Sequence, residues 1–119
     1  MTQRVIHIAA ETAAVRQSLR ATLVSYDIGD VVDTSDQGCE GVEAVKGKDI
    51  QILVICTGPN EDVSQHTTWY RDAAPQSYLI GFAFNDDQAD GYRDGNVDAV
   101  ARSNMGREGF IRLMRKAAD

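Results

Sequence analysis

Short runs of aliphatic and β-branched residues alternate with longer segments of helical period, five times along the chain. The strand-like runs are Val5-Ile6-His7-Ile8, Val31-Val32, Ile52 to Cys56, Leu79 to Phe84 and Val97 to Ala101. Several are almost continuously apolar, as strands of a parallel sheet covered on both faces must be. Between them, Val15, Leu19, Leu23 and Tyr26 recur at four, four and three residues and form one stripe of a helix. Val42 with Val45, Tyr70 with Ala73 and Ala74, and Phe110 with Leu113, Met114 and Ala117 repeat that pattern. Asn60 followed by Glu61 and Asp62 predicts a helix start, with acids where the helix dipole favours them. Asn85-Asp86-Asp87-Gln88 has the spacing of a capping box with Asn as the cap. Gly29, Gly58-Pro59, Pro75 and Gly95 fall between elements. The expectation is an α/β fold of (βα)5 type in one domain over residues 1–119, a doubly wound five-stranded parallel sheet with helices on both faces.

In such sheets the functional crevice lies beyond the carboxyl ends of the strands. The residues to question there are Ala9-Ala10-Glu11, Ser35-Asp36, Cys56-Thr57-Gly58, Ala83-Phe84-Asn85 and Arg102-Ser103-Asn104.

Composition narrows the class. The 119 residues carry 12 Lys+Arg against 18 Asp+Glu, a net charge of −6, with 43% hydrophobic residues, which is the profile of a globular domain and not of a disordered chain. The longest apolar run, Ile52 to Cys56, is far too short to span a bilayer, and Met1 to His7 lacks the apolar core of a signal peptide. A cytoplasmic location is expected, without membrane contact. Residues 1–101 hold 7 basic and 16 acidic side chains, whereas residues 102–119 hold 5 basic and 2 acidic ones. An acidic body does not wrap a phosphate backbone, so nucleic-acid binding by this domain is not expected. The basic tail suits either a docking surface or a final helix whose cations favour its own dipole. Cys39 and Cys56 form no disulfide framework and no zinc spacing, and read as packed thiols.

With these strand ends the chain resembles the CheY-like response-regulator receiver domains, in an atypical, pseudo-receiver form. Arg4 to Glu11 follows the opening strand of that family, Leu79 to Phe84 its fourth strand, and Val97 to Val100 the stretch leading into its fifth. Pro59 sits where the family has the proline after its phosphorylated strand. The resemblance covers Arg4 to about Ala118 and implies the flavodoxin/CheY-like fold and a role in two-component, phosphorelay-type signalling.

Receiver chemistry needs carboxylates to hold Mg²⁺ and one more to accept a phosphoryl group, with a lysine neutralising the charge. The resemblance places Ala9 and Ala10 at the acidic pair, Ile55 (or Val54 or Cys56) at the acceptor, Ala83 at the fourth-strand hydroxyl and Arg102 or Ser103 at the lysine. With Glu11 these form a degenerate phosphorylation pocket, so no catalytic residue, metal or cofactor is expected. The expected role is binding of a protein partner or of a fused effector domain. The family's helix 4–strand 5–helix 5 face implies a homodimer here through Tyr92, Arg93, Asp94, Asp98, Arg112 and Arg115.

Two other classes stay open. Glu11, Asp36, Glu61, Asp62, Asp86 and Asp87 all fall near the carboxyl edge, where one of them could serve as a displaced acceptor. A small ligand could instead occupy the room that alanines leave in the emptied pocket. Cys56 at a strand end is a candidate thiol sensor, while His7 and His66 read as packing. The stretch from Asp86 lacks the final acid of a calcium loop, and no Gly-x-Gly-x-x-Gly occurs.

Overall fold

Five strands form where the apolar runs lie: β1 (Val5–Ala10), β2 (Asp30–Ser35), β3 (Ile52–Cys56), β4 (Tyr78–Ala83) and β5 (Ala99–Arg102). They alternate with α1 (Ala13–Ser25), α2 (Cys39–Val45), α3 (Val63–Ala73), α4 (Asp86–Asp94) and α5 (Gly106–Ala118), and a 3-10 turn at Ser103–Met105 precedes α5. The computed structural model describes residues 5–10, 12–26, 30–35, 39–47, 49–58 and 62–118, and of residues 30–35, 39, 40 and 118 the backbone alone. All strand pairs are parallel, in the order β2-β1-β3-β4-β5. This is the doubly wound α/β arrangement the alternation predicts.

Period-2 alternation sorts the strand side chains into two layers. Ile6, Ile8, Ala10, Val54 and Cys56 pack with Leu19 and Leu23 of α1 and with Phe110, Ile111 and Met114 of α5. On the other side Ala9, Leu53, Ile55, Leu79 and Ala83 pack with Val45 of α2, Tyr70 of α3 and Tyr92 of α4. The continuously apolar reading of β3 is explained by this, since all five of its residues are buried against one helical layer or the other.

Boundaries differ from the sequence reading in three informative places. β1 runs two residues past Ile8, because Ala9 and Ala10 pair with Ile55 and Cys56. β2 extends on both sides of Val31-Val32, from Asp30 to Ser35, and lies at a sheet edge, where polar residues are tolerated. β5 starts at Ala99 and not at Val97. Just before it, the Asp98 carboxylate accepts the Leu79 amide at 2.7 Å, in place of a backbone carbonyl of β5. The same carboxylate pairs with Arg71 at 2.9 Å, and Arg71 also donates to the carbonyls of Ser77 and Asn96. One α3 arginine thus ties together the two loops that lead into β4 and β5.

The helix starts follow local rules. Thr12 caps α1 by accepting the Val15 amide, and Asp62 caps α3 by accepting the Gln65 amide at 3.1 Å. That bond, with the Ser64 hydroxyl, holds the Asp62 carboxyl below the usual carboxylate range. Asp62, not Asn60, is therefore the cap; Asn60 and Glu61 lie outside the described residues. Asn85 caps α4 as expected, accepting the Gln88 amide at 2.8 Å. Gln88, however, returns its side chain to the Phe84 amide, one residue before the cap.

Two glycines are dictated by close approach. At Gly81 in β4, a methyl group would overlap the ring carbons of Tyr92. At Gly95, at the end of α4, it would fall 2.7 Å from Thr67 Cβ of α3. The left-handed turn residue before β5 is Asn96, at φ 70°, a conformation that Asn tolerates better than most residues. Gly81→Ala is expected to destabilise the domain by about 1–3 kcal/mol, as overpacking of a filled core does. Urea unfolding would show it as a lower midpoint at unchanged slope, and pairing Gly81→Ala with Tyr92→Leu should cost less than the two changes summed.

Candidate functional site

The carboxyl edge of the sheet is built from hydrocarbon. Ala9, Ala10, Ile55 and Ala83 are completely buried, and Cys56 is 4% exposed. Ala9 pairs with Ile55 and Ala10 with Cys56, so β1 and β3 end side by side as the resemblance implies. Ala9 and Ala83 belong to the core beneath α2, α3 and α4, and Ala10 to the core beneath α1 and α5. Glu11, Asp36, Pro59 and Glu61 lie outside the described residues. Among the described residues no group of three His, Cys, Asp or Glu side chains could hold a metal ion. A hard cation such as Mg²⁺ needs several oxygen ligands, and methyl and sec-butyl groups supply none, so these residues do not fit it.

What the edge does hold is a buried polar cluster from α4. Tyr92 is completely buried, not surface-facing as the sequence suggested. Its hydroxyl accepts the Thr57 amide at 2.8 Å and lies 3.0 Å from Thr57 Oγ1 and 3.2 Å from the Ile55 carbonyl. Gln88, one turn earlier, donates to the Thr57 carbonyl at 3.1 Å while its own oxygen takes the Phe84 amide. Two side chains of α4 therefore satisfy the backbone where β3 and β4 end, which an unpaired burial would make costly. Burial pushes the Tyr92 hydroxyl pKa up to about 12. A sequence signal existed: Ala89 and Tyr92, three apart, are the apolar positions of α4, so its core stripe had to include them.

Arg102 closes β5 and pairs with Asp86 at the start of α4, at 2.5 Å. Its backbone amide meets the Met105 sulfur at 3.4 Å. Arg102 thus keeps a positive charge at the position the resemblance gives to lysine, but spends it on a neighbouring carboxylate. Phe84, 49% exposed, stands above Phe82, whose ring meets those of Phe84 and Phe110 edge-on. Of the three candidate displaced acceptors among the described residues, Asp62 caps α3, Asp86 holds Arg102, and Asp87 is exposed in an open groove of about 310 Å³ with Asp62, Ser64 and Asn85.

Of the six residues expected on one interaction face, five are exposed and Tyr92 is not. Tyr92 is in the core, and Asp98 is engaged by Arg71 and the Leu79 amide before β5. Arg93 pairs with Asp90 on its own helix at 3.1 Å, beside exposed Asp94. Arg112 and Arg115 are exposed on α5, across the sheet from α4.

Two outcomes are expected. Restoring an acceptor with Ile55→Asp places a carboxylate in a sealed apolar site without a partner, which costs about 3 kcal/mol or more. Calorimetry should show a large drop in melting temperature, and phosphoryl transfer should not appear. For Tyr92, the folded pKa lies above the unfolded value of 10, so the folded state holds the proton longer. Stability is unaffected below pH 10 and falls between pH 10 and about 12, by about 1.4 kcal/mol per pH unit. Tyr92→Phe removes that slope and, at neutral pH, costs about 1–3 kcal/mol by orphaning the Thr57 amide, as denaturant curves at pH 7 and pH 11 would show.

No family model matches the chain, and no curated protein matches it significantly in sequence. Solved structures do match in three dimensions. The receiver domain of AraT, a response regulator from Geobacillus stearothermophilus, superposes with TM-score 0.81 at 17% identity, covering 98% of this chain and 94% of that one. The signal receiver domain of the putative response regulator NarL from Mycobacterium tuberculosis gives 0.83 at 13% identity, over 99% and 98% of the two chains. A CheY-like receiver domain protein from Methanospirillum hungatei gives 0.81 at 12% identity, over 99% and 95%. With its strand order, its two helical layers and these neighbours, the chain has the CheY-like fold of the response-regulator receiver domains.

Proposed function

We propose that this domain is a signalling module of receiver type that acts by binding protein, without phosphorylation of a strand-end aspartate. The observation that supports this reading is the chemistry of the carboxyl edge. Phosphoryl transfer to a receiver needs a carboxylate oxygen as nucleophile, and a metal and a cation to neutralise the moving charge. Ala9, Ala10, Ile55 and Ala83 offer buried hydrocarbon at the corresponding stations, and Arg102 is neutralised by Asp86. In this reading the module catalyses no reaction and takes no cofactor, and its partner is another protein or a domain fused to it. No helix among the described residues is long and apolar enough to cross a membrane, and a cytoplasmic role fits that.

The test is intact mass after incubation with acetyl phosphate and Mg²⁺, beside an NMR titration with beryllofluoride. The expected outcome is no phosphoadduct and no amide shifts. An adduct on any carboxylate, Asp87 and Glu11 included, would overturn the reading and make the domain a phosphorelay receiver with a displaced acceptor.

A further inference from the structure

The charges of this acidic protein are sorted by layer. In the α1–α5 layer, α1 carries Arg16 and Arg20 and no acid, and α5 carries Arg107, Arg112, Arg115 and Lys116 against Glu108 alone. Among the described residues the four cations of α5 make no ion pair, and all are exposed. On the opposite layer Glu43, Asp72, Asp87 and Asp94 are exposed, with Lys46. Its two arginines are neutralised within the molecule, Arg71 by Asp98 and Arg93 by Asp90. Helix dipoles do not account for this sorting. Only Arg115 and Lys116 stand in a last turn, whereas Arg107 stands in the first turn of α5, where the dipole disfavours it.

Each face also has an apolar centre. Tyr26, Glu108, Ile111, Arg112 and Arg115 line a groove of about 300 Å³ between α1 and α5, with two cations against one acid. Val42, Ala73 and half-buried Trp69 line a second groove, of about 310 Å³, between α2 and α3, with Asp72 and Lys46 at its rim. We propose that the α1–α5 face of one copy docks on the α2–α3 face of the next, head to tail. The complement to the basic face is present on the same chain, whereas a polyanion such as nucleic acid would have to approach a protein of net charge −6. A protein of 36 × 33 × 25 Å offers on one face the roughly 800 Å² per partner that a stable interface needs. Stacked centres lie no closer than about the 25 Å shortest extent. Physiological salt, with a Debye length of about 8 Å, therefore screens the net repulsion more than the contacts. Because the two faces lie on opposite sides of the sheet, the contact is heterologous and does not close into a dimer.

This inference names the partner for the protein-binding reading and rests on it. The experiment is sedimentation equilibrium of the full chain near 100 µM at low and high salt. It is repeated with a basic-face variant, Arg112→Glu with Arg115→Glu, and an acidic-face variant, Glu43→Lys with Asp72→Lys. The native chain should exceed its 13.0 kDa protomer mass at low salt and return to it at high salt. Each variant alone should be monomeric. Their equimolar mixture should form capped pairs of about twice the 13.0 kDa protomer, because each retains one intact face. Unchanged circular dichroism would show that the exposed substitutions leave the fold intact. Monomers at both salts, or variants that still self-associate, would overturn the proposal, as would association that appears only with added duplex DNA or anionic vesicles. None of these results bears on phosphorylation, so failure here is distinct from a beryllofluoride response.

Discussion

The Tyr92 side chain is the constraint from which the carboxyl edge takes its form. Its ring lies on the bare backbone of Gly81, and its hydroxyl reaches past β4 to the end of β3, where it takes the Thr57 amide. That geometry holds α4 close over the sheet, and the close approach continues to α3, where Gly91 and Gly95 meet Val63 and Thr67. With Gln88 bridging Thr57 and Phe84, the strand ends that would otherwise present open amides and carbonyls are satisfied from within. Between the ends of β3 and β4, where an open α/β sheet usually receives a ligand, the protein's own helix thus supplies hydrogen-bond partners.

Both ends of the sheet carry charged ties, and the carboxyl end has a buried neutral cluster besides. There Arg102 pairs with Asp86 and Arg16 donates to the Ala10 carbonyl. The cluster of Tyr92, Thr57 and Gln88 sits in the core, where each hydrogen bond strengthens in a low dielectric and each lost partner is expensive. At the amino end the ties are charged and partly exposed, with Arg71 holding Asp98 and two loop carbonyls. Such a pair is screened by water and contributes modestly to stability; its main effect is to set where β5 begins.

Surface charge then carries what chemistry the domain presents. Among the described residues the two helical layers differ in sign, so in the proposed contact recognition falls to helix faces. Ion pairs at the rim of such faces steer and orient partners more than they bind them, and the apolar floors around Ile111 and Trp69 would carry the affinity.

Much of the fold was legible in the sequence because its cause is local and periodic. The apolar runs, the helical stripes and the Asn85 cap are properties of short segments, and they determined five strands, five helices and two covered faces. The hydrocarbon character of the strand ends at Ala9, Ala10 and Ile55 was legible too, since it is a property of the residue types themselves. The tertiary structure alone decided which polar groups lie beside them. Tyr92 read as a surface residue among charges because its partners, Gly81 and Thr57, are distant in sequence, and burial is a property of contacts. Asp98 read as part of β5 and of a docking face, until Arg71 and the Leu79 amide claimed its carboxylate. The segregation of charge onto opposite faces likewise required knowing which helices share a side of the sheet, and only the winding of the chain sets that.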